Sequence, residues 1–138
     1  MNLATSQTIV NHVMQLQTLS LENFRNYKQT LIDFSPGLTL VLGENGQGKS
    51  NLIESIYLLS ISKSFRETSL LNLIKWQQPW FRVKGLFNNS LSLEYFYQIQ
   101  PCQHRQLKIN EAKSSLYKFW AQCQTVLFSP ENLQNFYL

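Results

Sequence analysis

Eight consecutive residues, Gly43-Glu44-Asn45-Gly46-Gln47-Gly48-Lys49-Ser50, match the pattern G-x-x-x-x-G-K-[ST] at every fixed position. Glycines at 43, 46 and 48 let the backbone bend so that successive N–H groups, those of Glu44, Asn45 and Gln47 among them, face one cluster of anionic oxygens. A helix N-terminus behind the loop adds its partial positive charge. Lys49 supplies a mobile ammonium suited to β- and γ-phosphates. The Ser50 hydroxyl is a hard oxygen ligand for Mg²⁺. Average residue usage produces the pattern by chance in about one chain in two hundred of this length. That sets aside a mere glycine-rich turn with a solvated lysine. The pattern leaves open ATP or GTP, and kinase, motor or switch.

No other constellation is as specific. Cys102-Gln103-His104-Arg105 pairs one thiol with one imidazole, half a metal site at most, and Cys123 has no ligand-type neighbours. Two cysteines are too few for a disulfide framework. Glu54 comes after Lys49 on a predicted helix and is expected on its solvent side. The aromatics of Trp80-Phe81, Tyr95-Phe96-Tyr97 and Phe119-Trp120 are assigned to a core, because strand alternation accounts for them without base stacking.

The elements that must position the loop are set out by periodicity. Residues 15–21 alternate polar and apolar, and a charged turn leads to a second strand over 29–34. After Ser35-Pro36-Gly37, Leu38-Thr39-Leu40-Val41-Leu42 reads as a strand buried on both faces. The loop comes next, then a helix over about 49–59 with Leu52, Ile53, Ile56 and Leu59 on one face. Residues 62–68 read as a polar loop and 70–76 as a short helix. Strands over 80–87 and 91–99 flank Asn88-Asn89-Ser90, a hairpin signature. A third strand covers 106–109, a turn or two of helix 115–121, and a short strand 125–128. Ser129 is placed to cap the next segment of chain, with Pro130 at its first position. The chain stops at Leu138 inside an apolar pattern, so a longer protein is expected.

The chain has 138 residues, 14% charged and 13% aromatic, a composition that excludes disorder. No apolar run reaches the ~18 residues of a membrane span. The first thirteen residues carry no Lys or Arg, which argues against a secretory signal. A cytoplasmic protein without membrane contact is expected. Net charge is +4, divided unevenly: residues 1–62 carry three Lys/Arg against four carboxylates, residues 63–138 nine against four. A basic second half suits a polyanion without demanding one.

Leu19-Ser20-Leu21-Glu22-Asn23-Phe24-Arg25-Asn26-Tyr27, Phe34-Ser35-Pro36-Gly37-Leu38 and the glycine loop together resemble the start of SMC/Rad50-like ATPase heads. Lys63-Ser64-Phe65-Arg66, Lys108-Ile109-Asn110 and Val126-Leu127-Phe128-Ser129-Pro130-Glu131-Asn132-Leu133 narrow the resemblance to the RecF family of DNA replication and repair proteins. It runs over residues 14–138. Family members start near Met14, so residues 1–13 read as an N-terminal extension, and His12 falls within it. Residues 14–138 then form the N-terminal part of a P-loop ATPase head. Glu111 stands where the family usually has glycine, which puts a tight turn in question.

The resemblance implies an α/β P-loop NTPase of ABC/SMC-head type, with a mixed sheet and an antiparallel β subdomain, incomplete at its C-terminus. It implies ATP and Mg²⁺ as ligands, held by Gly43 to Ser50, and an ATP-dependent homodimer. It further implies DNA with single-stranded or gapped character as partner, together with RecR and RecO, in loading a recombinase and restarting replication. Arg25 matches a position beside the nucleotide phosphates in related heads; a surface arginine at a strand end is the other reading. Arg66 matches a loop facing a dimer interface or DNA, and a solvated loop reads equally well. A Mg²⁺-contacting glutamine is not assigned to Gln134. No catalytic residue is expected here, since the Walker B carboxylates and signature helix belong beyond Leu138. A weak DNA-dependent ATPase activity is expected of the whole protein and none of this chain. Another SMC-like head and a small-molecule kinase are the alternatives; the strand pair before the loop and the hairpin after its helix favour the head.

Overall fold

The structure is a computed structural model that describes residues 14–128. The expected extension over 1–13 and the cap at Ser129-Pro130 lie outside the described residues. Six strands form one antiparallel sheet in the order β2-β1-β3-β4-β5-β6. They are β1 (Leu16–Phe24), β2 (Tyr27–Asp33), β3 (Trp80–Phe87), β4 (Ser92–Gln98), β5 (His104–Ile109) and β6 (Ala112–Lys113). Helix α1 (Lys49–Ile61) lies between β2 and β3 in sequence and packs on one face, touching β1, β3 and β4. Helix α2 (Leu116–Trp120) packs on β5 and α1, with the Ser115 hydroxyl accepting from the Lys118 N–H.

Alternation decides which side chains meet α1. Phe81 and Val83 of β3 point inward with Leu93, Tyr95 and Tyr97 of β4, and all are buried. Phe24 meets Phe81 edge-on with ring centroids 5.4 Å apart, and Phe81 stacks on Tyr95 at 5.9 Å. Burial of such rings is worth about 2–3 kcal/mol each. Gly85 lies on the same inner row, where a Cβ would stand 2.8 Å from Leu59 Cδ1. The helix therefore approaches the sheet at the one β3 position without a side chain. The assignment of the aromatics to the core holds for Phe81, Tyr95, Tyr97 and Phe119. Trp80 and Phe96 instead face outward and clasp the Arg82 guanidinium, 5.4 and 5.5 Å from the two ring centroids.

Several expectations need correction. Helix α1 runs two residues past 59, and its buried side includes Leu52, Ser55, Leu58 and Leu59, with Ile53 exposed. Residues 70–76 form only a 3-10 turn over Leu70–Leu73, because Ile74 turns extended and bridges to Phe24. Residues 38–42 form no ladder, and Leu38 is 95% exposed, with Leu40 and Leu42 also outside. Only Val41 packs against the core. A strand buried on both faces needs a partner on each edge, and every ladder among the described residues is used by β1 to β6. The same holds for 125–128, where Val126 and Phe128 are exposed. The parallel component of a mixed sheet is thus not present among the described residues. Glu111 does close a tight hairpin between β5 and β6: Asn110 and Glu111 take φ of 48° and 67°, as a two-residue turn of this hand requires.

Candidate nucleotide-binding site

Residues 43–48 form the loop that enters α1, and its glycines take φ of 155° (Gly43), 83° (Gly46) and 102° (Gly48). Gly48 is the N-cap in the left-handed region, and no side chain caps the helix. No acidic residue occupies the first turn. The helix therefore presents its N-terminal amides with no capping oxygen to take them, an arrangement that favours an anion. Lys49 Nζ donates to the carbonyls of Gly43 and Glu44 at 2.7 and 2.6 Å, which holds the ammonium across the loop. Gln47 Oε1 accepts from the Glu44 N–H at 3.1 Å and braces the same bend. Asn45, Gly46 and Ser50 are exposed. The eight residues of the motif are thus brought to one bend that faces solvent except at the buried Gly48. Its chemistry fits a polyphosphate, and the Ser50 hydroxyl fits as a hard oxygen ligand for the cation that accompanies one.

The turn between β1 and β2 lies against this loop. Asn26 Nδ2 donates to the Gln47 carbonyl at 3.1 Å, and Asn26 Oδ1 accepts from Asn51 Nδ2 at 2.9 Å. The Tyr27 hydroxyl donates to the Gly48 carbonyl at 3.1 Å, and burial pushes that phenol up from its ordinary pKa. A Cβ on Gly48 would come within 2.5 Å of the Asn26 carboxamide and displace it, and the φ of 102° itself favours glycine at 48.

Arg25 joins the turn to α1. Its Nε and Nη2 donate to the two oxygens of Glu54, both at 2.8 Å, and Nη1 donates to the Asn72 carbonyl at 2.9 Å. Glu54 is fully buried, which corrects the expectation that it faces solvent. It also accepts from the Ser64 hydroxyl. Glu67 stands 3.5 Å from Arg25 and accepts from Asn72 Nδ2. The hydrogen bond to Glu54 raises the Arg25 pKa against the opposing effect of burial. Asn72 and then Arg25 hold Glu67 below its ordinary value. Arg25 is therefore neither a free surface arginine nor directed at the loop; its guanidinium is engaged along one side of α1. Arg66, at the end of the polar loop, donates to Asn51 Oδ1 at 2.9 Å and lies 3.9 Å from Glu54.

Asn26, Tyr27, Asn51 and Glu54 are not among the expected site residues. The signal for them is indirect: a turn with two residues, Asn23 and Arg25, at φ near 50° must be held by something. Cys102 and Cys123 are both free, and no group of three metal-ligating side chains occurs among the described residues.

Comparison with known proteins agrees with this geometry. The chain matches the RecF/RecN/SMC N terminal domain family over residues 15–125. It is 37% identical over 121 residues to the DNA replication and repair protein RecF of Pediococcus pentosaceus, covering 87% of this chain and 32% of that protein. RecF of Streptococcus pneumoniae is 41% identical over 126 residues, covering 88% and 33%. The chain thus spans about a third of the length of these relatives. A structure of the recombination mediator protein RecF with ATP, from the RecFOR pathway, superposes with a TM-score of 0.80 at 35% identity, over 88% of this chain and 34% of that one. A structure from work on ATP-driven dimerization and DNA-stimulated activation of SMC ATPases superposes with a TM-score of 0.77 at 20% identity, covering 88% and 90%, and speaks for the fold alone. The fold is that of an ABC-type ATPase head in which the antiparallel sheet flanks the loop helix. Since the match runs from β1 through the glycine loop and α1 to the end of the sheet, the chain belongs to the RecF/RecN/SMC N-terminal domain family.

Proposed function

We propose that the chain is the ATP-binding part of a RecF-type DNA replication and repair protein, with residues 14–138 forming part of the head and 1–13 an extension. The observation that carries this is the uncapped, acid-free helix start behind the 43–50 loop. The likeness to RecF solved with ATP supports ATP over GTP. The amides following Gly46 and Gly48 would hold the phosphates, the Glu44 amide would exchange Gln47 Oε1 for a phosphate oxygen, Lys49 would exchange its two loop carbonyls likewise, and Ser50 would contribute one oxygen to Mg²⁺. ATP supplies the free energy that closes two heads on each other. DNA with single-stranded or gapped character, RecR and RecO, recombinase loading, replication restart and a cytoplasmic location belong to the whole protein in this reading. No helix among the described residues is long and apolar enough to cross a membrane. Hydrolysis by this chain alone is not expected, since the carboxylate that α1 carries, Glu54, is engaged by Arg25.

Charge-assisted contacts of the Lys49 kind are worth about 1.5–3 kcal/mol. Lys49→Ala should therefore weaken ATP binding at least tenfold by calorimetric titration. Equal affinity in the two proteins would overturn the reading.

A further inference from the structure

The loop carries glycine at 46 and 48, so its peptide planes are free to turn in the absence of other contacts. Two of them are not free here. The Gln47 carbonyl accepts from Asn26 Nδ2, and the Gly48 carbonyl accepts from both the Tyr27 hydroxyl and the Leu52 N–H. In a planar trans peptide the C=O and the following N–H point in opposite directions. Drawing the carbonyls of 47 and 48 toward the β1–β2 turn therefore directs the N–H groups of Gly48 and Lys49 away from it. The turn is itself fixed from behind. The Arg25 N–H donates to the Leu73 carbonyl at 2.8 Å, the Arg25 guanidinium grips Glu54, and Lys75 Nζ donates to the Asn26 carbonyl at 2.9 Å. Asn26 Oδ1 also ties the first turn of α1 through Asn51.

We infer that Asn26 is a positioning residue for the phosphate loop, setting the peptide plane at 47 so that the Gly48 amide is presented to an anion before one arrives, while Tyr27 and the helix hold the plane at 48. The inference rests on the nucleotide reading above for its ligand, but not for its geometry. Presenting preset amides removes the ordering that a glycine loop would otherwise undergo on binding. One neutral hydrogen bond of this kind corresponds to about a five- to tenfold change in affinity.

The test uses the 138-residue chain with two readouts, ATP affinity by titration and the backbone amide resonances by NMR. In Asn26→Ala, ATP binding should weaken about five- to tenfold, and the Gly48 amide resonance should move, while amides at 58–61 keep their positions. Asn26→Asp keeps the shape and the acceptor for Asn51 but has no donor for the Gln47 carbonyl, so it should not rescue. Wild-type affinity with an unmoved Gly48 amide in Asn26→Ala overturns the inference, as do shifts spread evenly over α1. If Asn26→Ala does not fold, Asn26→Asp carries the same measurement, and an unmoved Gly48 amide there overturns it. A wild-type chain that fails to bind ATP overturns the functional reading instead, and the Gly48 amide still decides the role of Asn26.

Discussion

Two charged clusters sit on opposite faces of the sheet, and they are built differently. Beneath it, Glu54 is fully buried and each of its oxygens accepts from Arg25, which is itself only 15% exposed, at 2.8 Å. On the outer face, Glu94 is almost as buried but is served by Lys108 at 2.8 Å and more distantly by Arg82 at 3.9 Å, both more exposed than Arg25. Arg82 reaches Glu22 at 3.1 Å. The outer pairs Glu22–Arg82 and Glu94–Lys108 are directly opposed residues in the strand ladders. Their proximity is a by-product of backbone pairing that exists without them. The inner cluster joins a turn, a helix and a loop that no ladder connects, residues 25, 54, 64 and 67 among them. One set of charges decorates a geometry and the other creates it.

The largest consequence of that contrast is at Glu54. Glu54→Ala leaves the Arg25 guanidinium with only the Asn72 carbonyl and the more distant Glu67 in a mostly enclosed site, and breaking a buried pair this way costs about 3–5 kcal/mol. Urea unfolding should lose that much, and a loss below about 1 kcal/mol would erase the distinction between the clusters. Arg82→Ala removes a half-exposed cation from Glu22, from between two rings and from the edge of Glu94, which keeps Lys108, so a loss of about 1 kcal/mol is expected. A loss as large as that of Glu54→Ala would break the comparison from the other side. Lys84→Ala, which removes the surface pair to Glu111, should leave the thermal midpoint within error of wild type.

The smallest effect sharpens the contrast by pH. Glu67 is held below the ordinary value of 4.5, first by the Asn72 hydrogen bond and then by Arg25. Glu111 is held below it by Lys84. Both folded values are depressed, so their contribution is present above about pH 4.5 and is lost as pH falls through the lower folded values. In an NMR titration, Asn72→Ala should move the Glu67 midpoint up toward 4.5, and Lys84→Ala should do the same for Glu111. An unmoved midpoint in either variant would contradict the assigned cause.

Legibility in the sequence divides along the same line. The phosphate loop, the start of the helix after it and the hairpin around Asn88-Asn89-Ser90 are local signals, and the structure has each where the residues put it, although the helix runs on to Ile61 and turns Ile53 outward. Residues 38–42 mislead because apolar character reports a wish for burial, whereas a ladder also needs a neighbouring strand. Glu54 misleads because residue type says a carboxylate prefers water, and the arginine that reverses this lies 29 positions earlier. Asn26 is silent for the same reason: its two partners are 21 and 25 residues away. The antiparallel turn at Asn110-Glu111 shows the opposite case, where pairing of β5 with β6 holds a non-glycine residue in a glycine-favoured conformation.

The posture of Lys49 has a thermodynamic consequence. Its ammonium already holds two carbonyl oxygens of its own loop, at 2.7 and 2.6 Å. Any anion that recruits it must displace those oxygens, so the lysine's part in binding is an exchange of acceptors, and the carbonyls it releases must find water. The heat released on association should therefore understate the strength of the new contact, and a titration read as a sum of gained hydrogen bonds would misjudge the loop. The lysine acts less as a magnet waiting for charge than as a latch that has to be lifted before it can close on something else.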